Sequence, residues 1–250
     1  MAMGAADVVP GVSGGTIAFI SGIYEELIES LNNINLSIFT QLRSKGVKHT
    51  WETINGSFLL ALMCGIFISV FSLVRVVEWL LEQHPILLWA FFFGLVAASI
   101  IYIGKQIKIN LWNLEGIKMF LAITIGGIVA YIITTINPVA SSNSNLFLFF
   151  AGAFAICAMI LPGISGAFIL VIIGAYGPVL EAISNRDLKT ILIIGAGAIV
   201  GLLSFSKLLK WLFKYYNQLT LAVLTGFMIG SLNKIWPWKV VLTYRTNSKG

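Results

Sequence analysis

The 250-residue chain is 58% apolar and 10% charged, with a formal net charge of +6 and a mean hydropathy of +0.93. About a quarter of the residues in an ordinary globular domain are charged, so this composition excludes a soluble fold. The sixteen Lys and Arg residues form no basic run interleaved with aromatics, which excludes a nucleic-acid surface and leaves membrane topology and anionic lipid as their business.

Residues 8–24 read VVPGVSGGTIAFISGIY, a polar knot in an apolar run. Pro10 removes a backbone donor, and Gly11 and Gly14 permit sharp turns. Ser13 stands where a helix N-cap belongs, and helix is expected to resume near Thr16 and run to about Ser30. Nine residues precede Pro10; at 1.5 Å each they reach about 13–14 Å, the depth of the bilayer midplane. The first arm is therefore expected to be re-entrant or incomplete. No basic segment precedes the knot, so no cleavable signal peptide is expected. Apolar helices follow at 57–81, 86–104 and 118–136. A second knot, LPGISGAFILVIIGAY, occupies 161–176, with helix from about Ala167 to Ile183, and further helices are expected at 190–213 and 217–234. Charge-free stretches at 86–104, 119–180, 190–206 and 215–233 meet the roughly 18 apolar residues that one span needs. The fold class is an all-α polytopic membrane protein.

The two knots belong to an internal repeat. A shift of 152 pairs Pro10 with Pro162, Gly11 with Gly163, Ser13 with Ser165, Gly14 with Gly166, Gly22 with Gly174, Tyr24 with Tyr176 and Glu29 with Glu181. After about 20 extra polar residues in the first copy, a shift of 132 pairs Gly65 with Gly197, Arg75 with Lys207, Trp79 with Trp211 and Gly94 with Gly226. One membrane domain is expected over 1–250: repeat one at 1–105, a linking helix at 118–136, repeat two at 145–236 and a polar tail at 237–250. A single extra crossing between two copies inverts the second, giving the inverted-topology plan of secondary transporters. Positive charge at Arg43, Lys45, Lys48, Lys105, Lys108, Lys118, Lys210 and Lys214 favours a cytoplasmic N-terminus, against the tail residues Lys239, Arg245 and Lys249.

Each knot offers free N–H groups and the positive end of a helix dipole, which favour an anion such as phosphate. The candidate phosphate-binding residues are Gly11, Val12, Ser13, Gly14, Gly15 and Thr16 in the first knot and Gly163, Ile164, Ser165 and Gly166 in the second. Arg75 and Lys207 are candidate cations, one towards each mouth of a central site, because charge inside a span is costly and usually has a purpose; both could instead snorkel to an interface. Asp7, whose counterpart is Met159, is a candidate for ion coupling through a proton or sodium ion. Cys64 and Cys157 lie in apolar helices with no CxxC, and neither an HExxH nor a paired-Asp motif is present. No catalytic residue, metal or cofactor is expected, and the chain is not expected to be an enzyme. GAGAIVG at 195–201 could pack helices within one subunit or between two, so a homo-oligomer is an open expectation.

MGAADVVPGVSGGTIAFISGIYEELI, LPGISGAFILVIIGAYGPVL and LNKIWPWK closely resemble a bacterial membrane family, the polyprenyl-phosphate transporters (PopT), once catalogued as a domain of unknown function. The likeness covers almost the whole chain. Its members resemble the DedA-type lipid transporters in pairing two re-entrant hairpins, and carry further residues before MGAADVVPG and after the tail. The resemblance implies a transporter that returns undecaprenyl phosphate across the bacterial cytoplasmic membrane, recycling the lipid carrier of peptidoglycan and related polymers. Its partners would be the polyprenyl phosphate and the membrane lipids. A transporter of a small soluble anion and a non-transporting membrane scaffold are the alternatives.

Overall fold

The computed structural model describes residues 1–9, 12–35, 37–107, 113–136 and 144–238. Pro10 and Gly11 of the first knot, Lys108 and the tail residues Lys239, Arg245 and Lys249 lie outside the described residues. The described chain is all-α, without a strand. Helices α1 (Ala2–Val8) and α2 (Gly14–Ile20) flank the first knot, and α3 (Tyr24–Asn33) and α4 (Ser37–Thr53) follow it. Next come α5 (Gly56–Gln83), α6 (Pro85–Gly104) and α7 (Leu114–Thr135). The second knot joins α8 (Asn145–Ile160) to α9 (Gly166–Ile172), and α10 (Tyr176–Ser184) and α11 (Leu188–Ser231) complete the described fold.

Among the described residues, α5, α6, α7 and α11 are long and apolar enough to cross a membrane, and the bent α9–α10 pair would make a fifth span. The chain is a multi-pass membrane protein. Its apolar surface fits that solvent: Phe71 is 80% exposed and Leu87 65%, a cost in water and none in hydrocarbon.

Two expectations need correction. The helix expected from Thr16 to Ser30 is two helices, because Gly22 between α2 and α3 has φ +73°. An α-helix cannot pass through that region, which glycine alone enters without a steric penalty. The helix expected from Ala167 to Ile183 breaks in the same way at its paired glycine, Gly174, with φ +74°, and α9 meets α10 at 110°. The helices expected at 190–213 and 217–234 are the two arms of α11, which break at Tyr216 (φ −136°, ψ 42°). Unbroken, 44 residues would extend about 66 Å, twice the hydrocarbon thickness. Phe205 and Leu209 before the break face Leu224 and Phe227 after it across one cavity, so the two arms of α11 fold back on each other.

The ends of the helices follow local chemistry. Pro85 opens α6 at the position where a missing N–H costs nothing. Asn113 Oδ1 accepts from Gly116 N–H at 2.8 Å to cap α7. Asp187 caps α11 by accepting from Lys189 N–H and Thr190 N–H, and the hydrogen bond from the Thr190 hydroxyl holds its carboxyl below the usual carboxylate range.

Packing runs through small residues. Lipid tails are as apolar as leucine, so helices in a membrane associate by close backbone approach rather than by escape from water. On the α7–α11 seam, Gly126 lies against the Val223 carbonyl, and Gly226 and Gly230 lie against the carbonyls of Ile123 and Gly127. On the α8–α11 seam, Gly197 meets the carbonyl of Phe149 and Gly201 that of Ala153. Gly65, paired with Gly197 in the repeat, abuts the Met1 amino group on the α1–α5 seam. The helical segment α3 is tied to α11 by Asn32, whose Nδ2 donates to Ser206 O at 2.6 Å, and by Tyr24, whose ring meets Phe213 edge-on at 5.8 Å.

A Cβ at Gly197 would drive into the Phe149 carbonyl, whereas one at Gly195 meets nothing within 4 Å. Gly197→Ala is therefore expected to cost about 1–3 kcal/mol through overpacking. Gly195→Ala, on the same helix, should be neutral or stabilising by up to about 1 kcal/mol. Thermal unfolding of both variants in detergent measures the difference.

Candidate functional site: the junction of the two knots

The two knots, about 150 residues apart in sequence, touch. Gly163 N–H in the second donates to Thr16 Oγ1 in the first at 2.9 Å. Ser13 Oγ donates to the Met159 carbonyl at 2.8 Å. Glycine is required on both sides: a Cβ at Gly15 would strike the carbonyls of Ile160 and Met159, and one at Gly163 would lie 2.6 Å from Ser231 Oγ. Gly163 also has φ +92°. Broken helices leave backbone donors without partners, and at this burial each must find one. The junction meets one such donor, Gly163 N–H, and one carbonyl, that of Met159, from the opposite knot.

Ser13 is the N-cap of α2, as expected, and its Oγ accepts from Gly15 N–H at 3.0 Å. The neighbouring donor, Gly14 N–H, is taken by Asp7 Oδ1 at 2.7 Å. Asp7 therefore puts a carboxylate at the N-terminal end of α2, the place where an external anion was expected. Its other oxygen, Oδ2, is buried with no hydrogen-bond partner among the described residues. Ser13 is 0% exposed and Thr16 1%; Val12, Gly14 and Gly15 are buried too. The first knot is closed on itself and on the second.

The second knot is organised differently. Ser165 occupies the N-cap position of α9 without a side-chain cap bond. It is 8% exposed, and its hydroxyl is bonded to no described residue. Ile164 and Gly166 are buried beside it. The repeat gives this knot no carboxylate, since Met159 stands where Asp7 does in the first. A cavity of about 250 Å³, lined by Leu161, Phe205, Leu209, Leu224 and Phe227 among others, opens between the arms of α11 next to this knot. Its wall is almost wholly apolar.

Not all of the candidate residues come together. Ser13, Gly15 and Thr16 meet Met159, Ile160 and Gly163, and Asp7 joins them through Gly14. Arg75 and Lys207 are exposed on α5 and α11 and bond to no described residue of the junction. Sequence reasoning passed over Lys234, although LNKIWPWK contains it. Its Nζ stands 4.1 Å from the centroid of the Phe168 ring in the first turn of α9.

Residues 3–250 match the VCA0040-like family, described as undecaprenyl phosphate translocase-like. The chain belongs to that family. A polyprenyl-phosphate transporter of Vibrio cholerae serotype O1 is 48% identical over 250 residues, covering 100% of this chain and 80% of the relative. A polyprenyl-phosphate transporter of Staphylococcus aureus is 32% identical, covering 94% of this chain and 83% of the relative. No solved structure gives a significant match. The family and these relatives are transporters, not enzymes.

Thr16→Val keeps the shape of the side chain and removes the acceptor of Gly163 N–H. Leaving that buried donor unsatisfied should cost about 1–3 kcal/mol, while Thr16→Ser should restore most of it. Paired thermal unfolding curves check both.

Proposed function

We propose that this chain carries polyprenyl phosphate across a bacterial cytoplasmic membrane, with the phosphate bound at the junction of the two knots. The observation that carries the proposal is the direct contact between the knots, Gly163 N–H on Thr16 Oγ1. It joins corresponding breaks of the two sequence repeats, where transporters of repeated architecture bind their substrates. The family and the names of the relatives point to the same substrate.

A lipid phosphate suits the junction better than a small soluble anion. The ligand must be polar at one end and apolar at the other, and the polar second knot borders the apolar cavity between the arms of α11. The phosphate would engage the backbone groups of Gly163–Gly166 and the hydroxyl of Ser165, and the prenyl chain would leave through the apolar side. In the closed arrangement described above, Ser13, Gly14, Gly15 and Thr16 are occupied by protein partners. Ser13, Thr16 and Gly163 N–H would be freed when the knots part, and Gly14 N–H when Asp7 is displaced. Arg75 and Lys207 would act as exposed cations on the approach rather than in the junction.

Asp7 has a defined task in this cycle. Its carboxylate holds the α2 N-terminus that the phosphate would take, so an anion entering the first knot must displace it. Two anions at one helix end repel, and uptake of a proton or a sodium ion by Asp7 would relieve that repulsion. This is the proposed coupling step. Repeat one (1–105) and repeat two (145–236), turned over by the linking helix at 118–136, would rock against each other to expose the site alternately. The N-terminus would be cytoplasmic, and the transported lipid would return to the inner leaflet for reuse in envelope polymer synthesis.

The test is translocation of a labelled polyprenyl phosphate by the purified chain in liposomes, with polyprenol and inorganic phosphate as controls. A lost hydrogen bond to a charged group is worth about 1.5–3 kcal/mol, so Ser165→Ala should weaken phosphate binding roughly tenfold to a hundredfold. Movement of inorganic phosphate alone would favour the small-anion transporter. Movement of neither, with Ser165→Ala silent in every binding assay, would favour a scaffold.

A further inference from the structure

Beside Arg75 and Lys207 a third cation, Lys234, stands against the helix that leaves the second knot, and the chain around it is pinned. Lys234 N–H donates to Ser231 O at 2.9 Å, and Ser231 Oγ sits where a side chain on Gly163 would be. The next residue down the chain from Lys234, Ile235, is 2% exposed. The residue before it, Asn233, accepts from the Thr134 hydroxyl of α7 at 2.9 Å. Trp236 meets the ring of Phe93 on α6 at 5.2 Å, edge-on. The backbone carrying Lys234 is thus fixed against α6, α7 and the second knot at once.

Its side chain is half-buried and directed at that knot. Nζ is 4.1 Å from the Phe168 ring centroid. Phe168 follows Ser165 by three residues, and residues three apart lie on one face of a helix. An aromatic face steadies an ammonium ion through the ring quadrupole without neutralising its charge. Lysine is a point-charge partner for phosphate, suited to a headgroup that changes orientation as it moves. Depth adds to this. From Tyr216 to Ser231 the chain rises about 22 Å along the helix, past the middle of a roughly 30 Å core. Lys234 therefore sits beyond the knots as seen from the end where Lys210 pairs with Glu29 at 3.5 Å.

We propose that Lys234 is the cation that receives the phosphate monoester at the second knot, acting with the hydroxyl of Ser165. The proposal rests on the lipid-phosphate reading above and replaces neither Arg75 nor Lys207 as cations of the approach. A headgroup arriving from the face opposite Lys210 meets Lys234 before it meets Asp7. Binding at Lys234 and release past Asp7 then use opposite charges in sequence, which keeps the phosphate from being trapped at either.

The experiment measures binding of farnesyl phosphate to the purified full chain, with farnesol and inorganic phosphate as comparison ligands. Lys234→Met should weaken farnesyl phosphate binding by at least about tenfold, the loss of one charge-assisted contact, and leave farnesol unchanged. Lys234→Arg should restore binding to within about threefold. If Lys234→Met fails to fold, wild-type protein still gives an answer, because farnesyl phosphate should slow acylation of Lys234 by an amine reagent while farnesol should not. Unchanged affinity in Lys234→Met, or acylation indifferent to farnesyl phosphate, overturns the role of Lys234. Equal, Lys234-dependent binding of inorganic phosphate would keep Lys234 as the cation and overturn the lipid as ligand. Absence of any phosphate binding by wild type would overturn both.

Discussion

A broken helix inside hydrocarbon exposes N–H and C=O groups that water cannot reach, and an unmet group there costs several kcal/mol. This chain breaks its helices twice at polar knots and meets part of the demand by pressing the knots together. Thr16 accepts from Gly163, Ser13 donates to Met159, and Asp7 takes the exposed N–H of Gly14. Much else depends on this contact. Glycine is needed at Gly15 and Gly163 because a Cβ at the first would strike the Ile160 carbonyl and one at the second the Ser231 hydroxyl. The small-residue seams of α1 with α5 and of α8 with α11 hold the arms that bring the knots into register. The C-terminal arm of α11 closes the site from behind, through Phe227, Met228 and Ser231.

If the phosphate binds as proposed, the same contact stores the first knot in a closed form. Its polar groups are satisfied by the protein itself, with the Asp7 carboxylate standing where the ligand would. Exchange of one set of partners for another requires little net change in hydrogen bonding, so the barrier to opening need not include the full cost of bare polar groups in lipid. The two knots are asymmetric. The first is capped by Asp7, whereas the second keeps a buried serine hydroxyl and an apolar cavity at its side.

Much of this was legible from local chemistry. The apolar runs predicted α5, α6 and α7 because length alone decides whether a segment can span. Ser13 and Ser165 stand at N-caps because non-helical backbone before a helix start selects such residues. What local chemistry could not supply was contact between distant parts. Gly22 and Gly174 were paired by the repeat, yet the breaks they cause were missed, since a lone glycine in a helical pattern does not announce its φ. The break at Tyr216 carries no proline or glycine, yet it falls in the gap between the helices expected at 190–213 and 217–234. Asp7 stood out as a charge near the knot, but its hydrogen bond to Gly14 depends on how the chain returns after 10–11. Arg75 and Lys207 drew attention as charges in apolar helices, and both turn out to be exposed, while Lys234 near the chain's polar end lies against the second knot.

The account stands or falls on whether the knots must separate for the lipid to pass. With Cys64 and Cys157 replaced, a cysteine pair at Ser13 and Met159 would join the knots where they now share a hydrogen bond. Translocation of polyprenyl phosphate in liposomes should stop when this disulfide forms and return when it is reduced. Transport that continues at full rate through the oxidised, cross-linked protein would contradict it.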